Sequence, residues 1–436
     1  MKIPHPSLQK LGQRITISTI TQYGGKILQL GLSIISLNLI SNFLNDAGYS
    51  YYGAVTELAL FFSVVGNLGI FGNTVRAMSD NPQDGKLFTQ ALILRLLTAG
   101  SIFLISIFSL AITTNDQVFL LGSVLFLGAL FFDYITSVCD AMLQANYLMG
   151  RATFALVLGR LINTGLLYLL IKIISQTSTE APAFPWLPII LAATLLGSIF
   201  TACLSFYFVR QKIQLSWSWQ KSTLQKLLLA SLPFGIINII NSLYFRFLPD
   251  YFAHSALTDQ QFNSFNISFR ISQVLSLLST FLMFSVLPGF KQYLDNQDFK
   301  QAKILSKKVT KLLALAGALL VIFGSLAGPL AIELITHKKY FLPEFWFLLP
   351  LMLLLAAISY GYDLVLITLF ALKDEKWFLK REIIALAIAL CCFILSTTQS
   401  NAVIQLALIL SGAILGEGFM VLSGYQRMHK KLNQLS

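Results

Sequence analysis

Seven basic residues lie within or at the ends of otherwise apolar stretches of the chain, and five of them are candidate ligand-binding residues: Lys26, Arg95, Arg160, Arg246 and Arg270. A charge at the centre of a bilayer costs about 2.5–3.5 kcal/mol on insertion scales, so each such group needs water, a partner or a ligand of opposite sign. Arginine forms bidentate, charge-assisted bonds to phosphate, and the set suits an anionic, phosphate-bearing ligand with hydroxyl-rich groups. Four carboxylates, Asp133, Asp140, Asp363 and Glu417, are similarly placed. They are candidates for balancing those cations or for carrying protons in ion coupling.

The neighbours of these charges recur at helical steps. Gln22, Lys26, Gln29, Ser33 and Ser36 form one stripe, and Asp133, Ser137, Asp140 and Gln144 another. Asn238, Ser242, Arg246 and Asp250 step by four, and Asn266, Arg270, Gln273 and Thr280 share a face. Residues three and four apart stack on one side of a helix, so each stripe wets one face of an apolar helix. Lys26 lies about 16 Å into its span at 1.5 Å per residue, too deep to reach the interface. Its stripe is therefore expected to line a water-filled cavity. Plainer readings exist for other members. Arg160 and Asp140 are nearly level across one hairpin and can neutralise each other, while Lys172, Arg246 and Arg270 lie near outer ends from which they can snorkel.

Other chemistries find no support. The histidines His5, His254, His337 and His429 fall in termini and loops. Cys139, Cys203, Cys391 and Cys392 sit in apolar runs without metal or redox spacing, as expected of buried small residues. No glycine-rich phosphate loop with its lysine is present. The "GNLGIFG" stretch at 66–72 has no strand before it, so Gly66, Gly69 and Gly72 read as close helix packing. No metal site, cofactor or enzymatic activity is implied.

The elements that position these residues follow from composition. The 436-residue chain is 56% hydrophobic and 11% charged, against about 25% charged in soluble domains. Its mean hydropathy is +0.72. Apolar runs of about 20 residues mark an all-α, polytopic integral membrane protein, and the alternating segments of an outer-membrane barrel are absent. Twelve spans are expected, at roughly 15–44, 52–75, 88–113, 118–144, 153–174, 187–209, 227–248, 264–290, 311–335, 345–370, 383–398 and 402–424. The first is read as a retained helix rather than a signal peptide. Twenty-two basic residues fall on one side of this topology and two on the other, which places both termini in the cytoplasm. That asymmetry also accounts for the net charge of +12 without nucleic acid. The segment "NQDFKQAKILSKKVTK" reads as an amphipathic helix on the inner leaflet or as a solvated linker helix. Six spans precede the basic segment 210–226 and six follow it. The chain thus divides into bundles at 1–210 and 211–436, expected to be parallel repeats related by a pseudo-two-fold axis along the membrane normal.

Four stretches carry a resemblance: "DAGYSYYGAVTELALFFSVVGNLGIFGNTVRAMS" (46–79), "AMLQANYLMGRATF" (141–154), "SLPFGIINIINSLYFR" (231–246) and "FNISFRISQVLSLLSTFLMFSVLPGF" (265–290). In this order the chain resembles the polysaccharide (O-antigen) flippases of the multidrug, oligosaccharidyl-lipid and polysaccharide exporter superfamily. The resemblance implies two six-helix bundles, alternating access in the cytoplasmic (inner) membrane, and an undecaprenyl-pyrophosphate-linked oligosaccharide as cargo. It also implies work beside a polysaccharide polymerase and a chain-length regulator. Two departures stand out: the family often has an acidic residue where this chain has Asn67, and another where it has Leu248. Rival readings are a lipid II or teichoic-precursor flippase and a drug or cation exporter of the same superfamily. A membrane glycosyltransferase or polymerase would need a large external loop, and no external segment here is long enough.

Overall fold

The computed structural model describes residues 8–71, 74, 77–78, 83–146, 148–177, 186–337, 339–340, 342–372 and 374–435; the side chains of 8–20, 22–23, 277–278, 280–289, 291–292, 294–295 and 435 lie outside that description. Gln22, Gly72, Arg76 and Thr280 therefore fall outside it wholly or in their side chains. All regular secondary structure among the described residues is helical, without strands. The helices are α1 (Leu8–Phe43), α2 (Asp46–Asn67), α3 (Gly85–Thr113), α4 (Gln117–Ala145), α5 (Met149–Thr177) and α6 (Leu187–Arg210). They continue with α7 (Lys221–Ser242), a π turn (Leu243–Phe247), α8 (Leu248–Ala256), α9 (Asp259–Asp295), α10 (Phe299–Thr336), α11 (Leu348–Ala371), α12 (Glu375–Ser396) and α13 (Ala402–Leu435). With α7, the π turn and α8 as one rod, each expected span has its helix.

Side-chain caps fix many of the starts. The Asn45 side chain accepts from Gly48 N at 2.8 Å, Asp84 from Lys86 N and Leu87 N at 2.9 and 3.1 Å, and Asp116 from Val118 N and Phe119 N at the same distances. Each satisfies amide groups that a helix end leaves unpaired. Among the described residues, nine helical segments are long and apolar enough to cross a membrane. Helices α2, α9 and α12 are not among them. In α12 five charged residues, Glu375, Lys376, Lys380, Arg381 and Glu382, occupy the first eight positions, leaving an apolar run of only about 21 Å. Leu104, Phe108, Leu169, Leu326 and Leu422 are exposed, as outward faces that meet lipid must be. Cys203 and Cys391 are exposed as well, which corrects the expectation that all four cysteines are buried.

The chain forms two compact units, Met1–Gly235 and Ile236–Ser436. In the first, α4 is the hub: it packs on α2, α3, α5 and α6, while α1 lies on α5, α5 on α6 and α2 on α3. In the second, α11 is the hub: it packs on α9, α10, α12 and α13, while the π turn and α8 lie on α12, α12 on α13 and α9 on α10. Every neighbour pair of the first unit thus recurs in the second, rod for rod. Two chains of contacts with the same order describe the same path through each bundle, as internal repeats have.

Three features depart from straight spans. The second span is not continuous: α2 stops at Asn67, Leu68 and Gly69 are left-handed at φ 44 and 67°, and Ile70 and Phe71 are again helical. A Cβ on Gly69 would lie 2.9 Å from the Ser231 carbonyl oxygen, and one on Gly235 would lie 2.6 Å from the Leu68 backbone. The glycines here serve a helix break pressed backbone to backbone against α7. The rod beginning at α7 carries a π turn, which shifts the four-step stripe Asn238–Asp250 off one face. Finally, the amphipathic segment is no separate surface helix. It is the first part of α10, whose 38 residues make about 57 Å, well beyond an apolar core of about 30 Å. Ser306 there meets Met428 at 3.6 Å and Lys303 meets Asn433 at 2.6 Å, so this extension pairs with the end of α13.

Candidate functional site

The break in α2 is held by Arg95 of α3. Its Nη1 donates to the Asn67 carbonyl at 2.9 Å and its Nη2 to the Asn67 side-chain oxygen at 2.6 Å and, more weakly, to Ser137 Oγ at 3.4 Å. The guanidinium also lies over the Tyr134 ring at 4.6 Å, and Tyr134 donates its hydroxyl hydrogen to the Ser63 carbonyl. A cation at the carbonyl end of a helix is favoured by the backbone dipoles. All of these partners are neutral. Arg95 is 2% exposed, its Nε is buried without a hydrogen-bond partner, and among the described residues it makes no ion pair.

Arg95 lines a cavity of about 330 Å³ with Ser63, Asn67, Tyr134, Ser137, Asp133 and Asp140 among its walls. That volume is in the range of small-ligand sites. Asp133 is exposed to water although helices surround it, as befits a group on a cavity wall. Helices α2, α3 and α4 supply the lining; the α1 stripe does not. Instead Ser33 accepts from Arg160 Nη2 at 2.9 Å and Ser36 meets Thr164 Oγ1 at 2.8 Å. These bonds make the stripe largely a polar seam between α1 and α5, where Gly25 also lets Thr153 approach closely.

The charges around the cavity sort into pairs. Lys26 acts electrostatically on Asp140. Arg160 acts electrostatically on Asp133, with Ser198 of α6 beside that carboxylate. The expected Arg160–Asp140 neutralisation is thus replaced by two other partnerships. Among these described residues three cations stand against two carboxylates, and Arg95 is the one left over. Glu57, also buried, lies ten residues from Asn67, about 15 Å along α2.

In the second unit the sequence-selected residues are more scattered. Arg270 Nε donates to Asn266 of its own helix at 2.7 Å. Arg246 is half-buried on the π turn. Asp363 accepts from Ser279 Oγ at 2.6 Å. Glu417 belongs to a buried network with Asn241, Tyr244, Tyr362 and Glu382. Sequence reasoning missed Glu382 because it ends the charged run "KDEKWFLKRE" and reads as loop. It missed Tyr244 and Tyr362 because a tyrosine in an aromatic-rich span carries no polar signature. Among the described residues no group of His, Cys, Asp and Glu could hold a metal ion.

No protein-family model matches the sequence, and no curated protein sequence matches it. Solved structures do match in fold. An inward-facing multidrug resistance MATE family transporter of the MOP superfamily aligns at TM-score 0.72 and 13% identity, covering 96% of this chain and 98% of its own. An outward-facing MATE family transporter aligns at 0.71 and 14%, covering 97% and 96%. A MOP-superfamily transporter from Pyrococcus furiosus, in which a binding pocket of reverse polarity suggests a different function, aligns at 0.72 and 15% with the same coverage. The chain has the fold of these transporters.

Proposed function

We propose that the protein is an alternating-access flippase of the cytoplasmic membrane. Its cargo on this reading is an undecaprenyl-pyrophosphate-linked oligosaccharide, such as a surface-polysaccharide repeat unit. One observation carries the reading: Arg95, buried and in no ion pair among the described residues, lines a cavity whose other groups include Asn67, Ser63, Ser137 and Tyr134 beside Asp133 and Asp140. A buried cation solvated only by neutral dipoles stands several kcal/mol short of its hydration in water, and an entering phosphate makes good that deficit through charge-assisted bonds. Hydroxyl and amide groups suit the sugars. Lys26 and Arg160 supply further attraction, and Arg246 and Arg270 are the candidate substrate-binding residues of the second unit. Asp133, Asp140, Asp363 and Glu417 balance charge or couple ions. The inward- and outward-facing structures of the same fold support alternating access as the cycle, and a polymerase and chain-length regulator are the expected partners.

The test is reconstitution with a fluorescent lipid-linked oligosaccharide. Lys26→Ala, Arg95→Gln and Arg270→Ala are each expected to slow translocation with unchanged protein in the membrane, and Arg95→Lys to retain part of the activity. Full activity in all three charge-removing variants ends the assignment. One observation favours a second reading, a drug or cation exporter: Asp133 and Asp140 share the cavity with Arg95, and several proteins of this fold are multidrug transporters. Efflux of cationic dyes, dependent on those two carboxylates, would identify it.

A further inference from the structure

The second unit holds a buried network that the cargo chemistry leaves largely unused. Glu382 on α12 and Glu417 on α13 are 0% and 1% exposed, and Tyr244 at the π turn is 0% exposed. The Tyr244 hydroxyl oxygen lies 3.0 Å from Glu382 Oε2 and 2.9 Å from Glu417 Oε2. Tyr362 of α11 donates to Glu382 Oε1. Asn241 Nδ2 donates to Glu417 Oε2 at 3.0 Å and reaches the Tyr244 oxygen at 2.9 Å.

The hydrogens can be counted. Tyr362 spends its hydrogen on Glu382, and the Asn241 amide supplies its own. Between the Tyr244 oxygen and the two carboxylates there are two oxygen–oxygen contacts but one hydroxyl hydrogen. Both are hydrogen bonds only when one glutamate is a carboxylic acid. With both ionised, one contact would set a hydroxyl lone pair against a carboxylate, and two like charges would share a dry pocket, an arrangement that buried carboxylate pairs avoid by keeping a proton. The surroundings offer no relief. Asp363, beside Tyr362 on α11, adds negative charge toward Glu417. Arg381, next to Glu382, lies over the Trp377 and Phe419 rings at 5.5 and 5.7 Å. Among the described residues no Lys, Arg or His is among the groups acting on either glutamate, although Arg246 sits two residues beyond Tyr244 on the same turn.

We propose that Glu382, Tyr244 and Glu417 form a single-proton site, one carboxyl hydrogen shared across the tyrosine hydroxyl. The hydroxyl also makes the site a relay. As the acid on Glu417 passes its hydrogen to the Tyr244 oxygen, Tyr244 passes its own to Glu382, so one proton moves from α13 to α12 and no atom is gained or lost. Release of that proton leaves two carboxylates with one hydroxyl hydrogen between them, and the π turn, α12 and α13 must then separate or admit water. Proton occupancy is in this way tied to the packing of the three elements. The proposal deepens the ion-coupling role given to Glu417 and does not depend on the identity of the cargo.

Infrared difference spectroscopy of the purified protein in nanodiscs, without cargo, tests it. At neutral pH a protonated-carboxyl carbonyl band is expected. It should shift in deuterium oxide and on carbon-13 labelling of glutamate, and it should disappear after an alkaline jump that releases one proton per chain. Glu382→Gln and Glu417→Gln should each abolish that proton release, whereas Asp259→Asn and Glu344→Gln, at exposed positions of the same unit, retain it. Tyr244→Phe should keep the band but shift it, because the bridging bond is gone. Absence of a glutamic acid band in labelled wild-type protein overturns the proposal without any variant having to fold. Proton release that survives both glutamine substitutions overturns it as well.

Discussion

Replacing Asn67 by Asp separates the ligand chemistry of Arg95 from its structural duty. The Asn67 side-chain oxygen is 2.6 Å from Arg95 Nη2, so the new carboxylate forms a direct ion pair with the guanidinium and keeps the bond across the α2 break. The cavity loses its leftover cation. A phosphate bound on the far side of the guanidinium would sit about 7 Å from the added charge, which at an effective dielectric near 20 costs about 2 kcal/mol, or roughly 30-fold in affinity. Thermal stability should hold or rise, because an ion pair replaces a cation–amide hydrogen bond in the same geometry. Arg95→Gln should instead lose both ligand binding and melting temperature, since the Asn67 carbonyl and side chain then lack their donor, at about 1–3 kcal/mol. The assay is equilibrium binding of a pyrophosphate-bearing polyprenyl lipid to the protein in nanodiscs, paired with thermal unfolding. Unchanged affinity in Asn67→Asp would refute the reasoning. Tighter binding of cationic dyes by the same variant, by a similar factor, would identify the exporter reading instead.

Two further outcomes follow from the described geometry. Gly69→Ala puts an L side chain at φ 67° with its Cβ 2.9 Å from the Ser231 carbonyl; the left-handed conformation alone costs roughly 1–2 kcal/mol, so melting should fall by several degrees, and an unchanged melting curve would argue against the break. Asp374, in the link between α11 and α12, is penalised by burial, but its hydrogen bond from Arg427 at 2.7 Å and the charges of Lys431 and Arg427 hold its carboxyl below the ordinary range. A lowered carboxyl stabilises above its unfolded value of about 4 and loses that contribution as pH falls through the folded value. The melting gap between wild type and Asp374→Asn should therefore be constant from neutral pH to about 5 and close in acid. It should correspond to no more than about 1 kcal/mol, because the Arg427 side chain is 31% exposed.

The helical class and the order of the spans were legible because hydropathy responds to the bilayer, and every expected span lies on a helix. What the periodicity could not convey was local irregularity. An apolar run reads the same whether or not two left-handed residues interrupt it, so the break at Leu68–Gly69 was hidden in "GNLGIFG". A π turn likewise leaves composition untouched while re-aiming Tyr244. Depth told which charges needed partners but not which partners. Arg160 and Asp140 look close to level when the spans are laid side by side, yet Asp133 and Asp140 share a face of α4 and lie about 10 Å apart along it, so the axial stagger of α1 and α5 against α4 decides that Asp133 meets Arg160 and Asp140 meets Lys26. The serines of the α1 stripe could not be assigned to lumen or seam from one sequence, since both environments reward a hydroxyl.

The placement of the acids has a common cause in the packing. Helix α4 touches four neighbours in its unit and α11 four in its own, and these two hubs carry Asp133, Asp140 and Asp363. A hub offers the least surface to lipid, so it is where a carboxylate can be surrounded by hydroxyls, amides, cations or trapped water at the lowest cost. The repeat thus fixes where charge is tolerated without fixing its sign or use. In the first unit the hub acids meet Lys26 and Arg160, and Arg95 keeps a positive charge facing a cavity. In the second unit the hub contributes Tyr362 to a pair of glutamates with no matching cation among the described residues, and the demand is met by a proton. If the hubs are what make these charges affordable, moving an acid from α11 to an outward position such as Leu326 of α10 should block membrane insertion, whereas Asp363→Asn should insert normally.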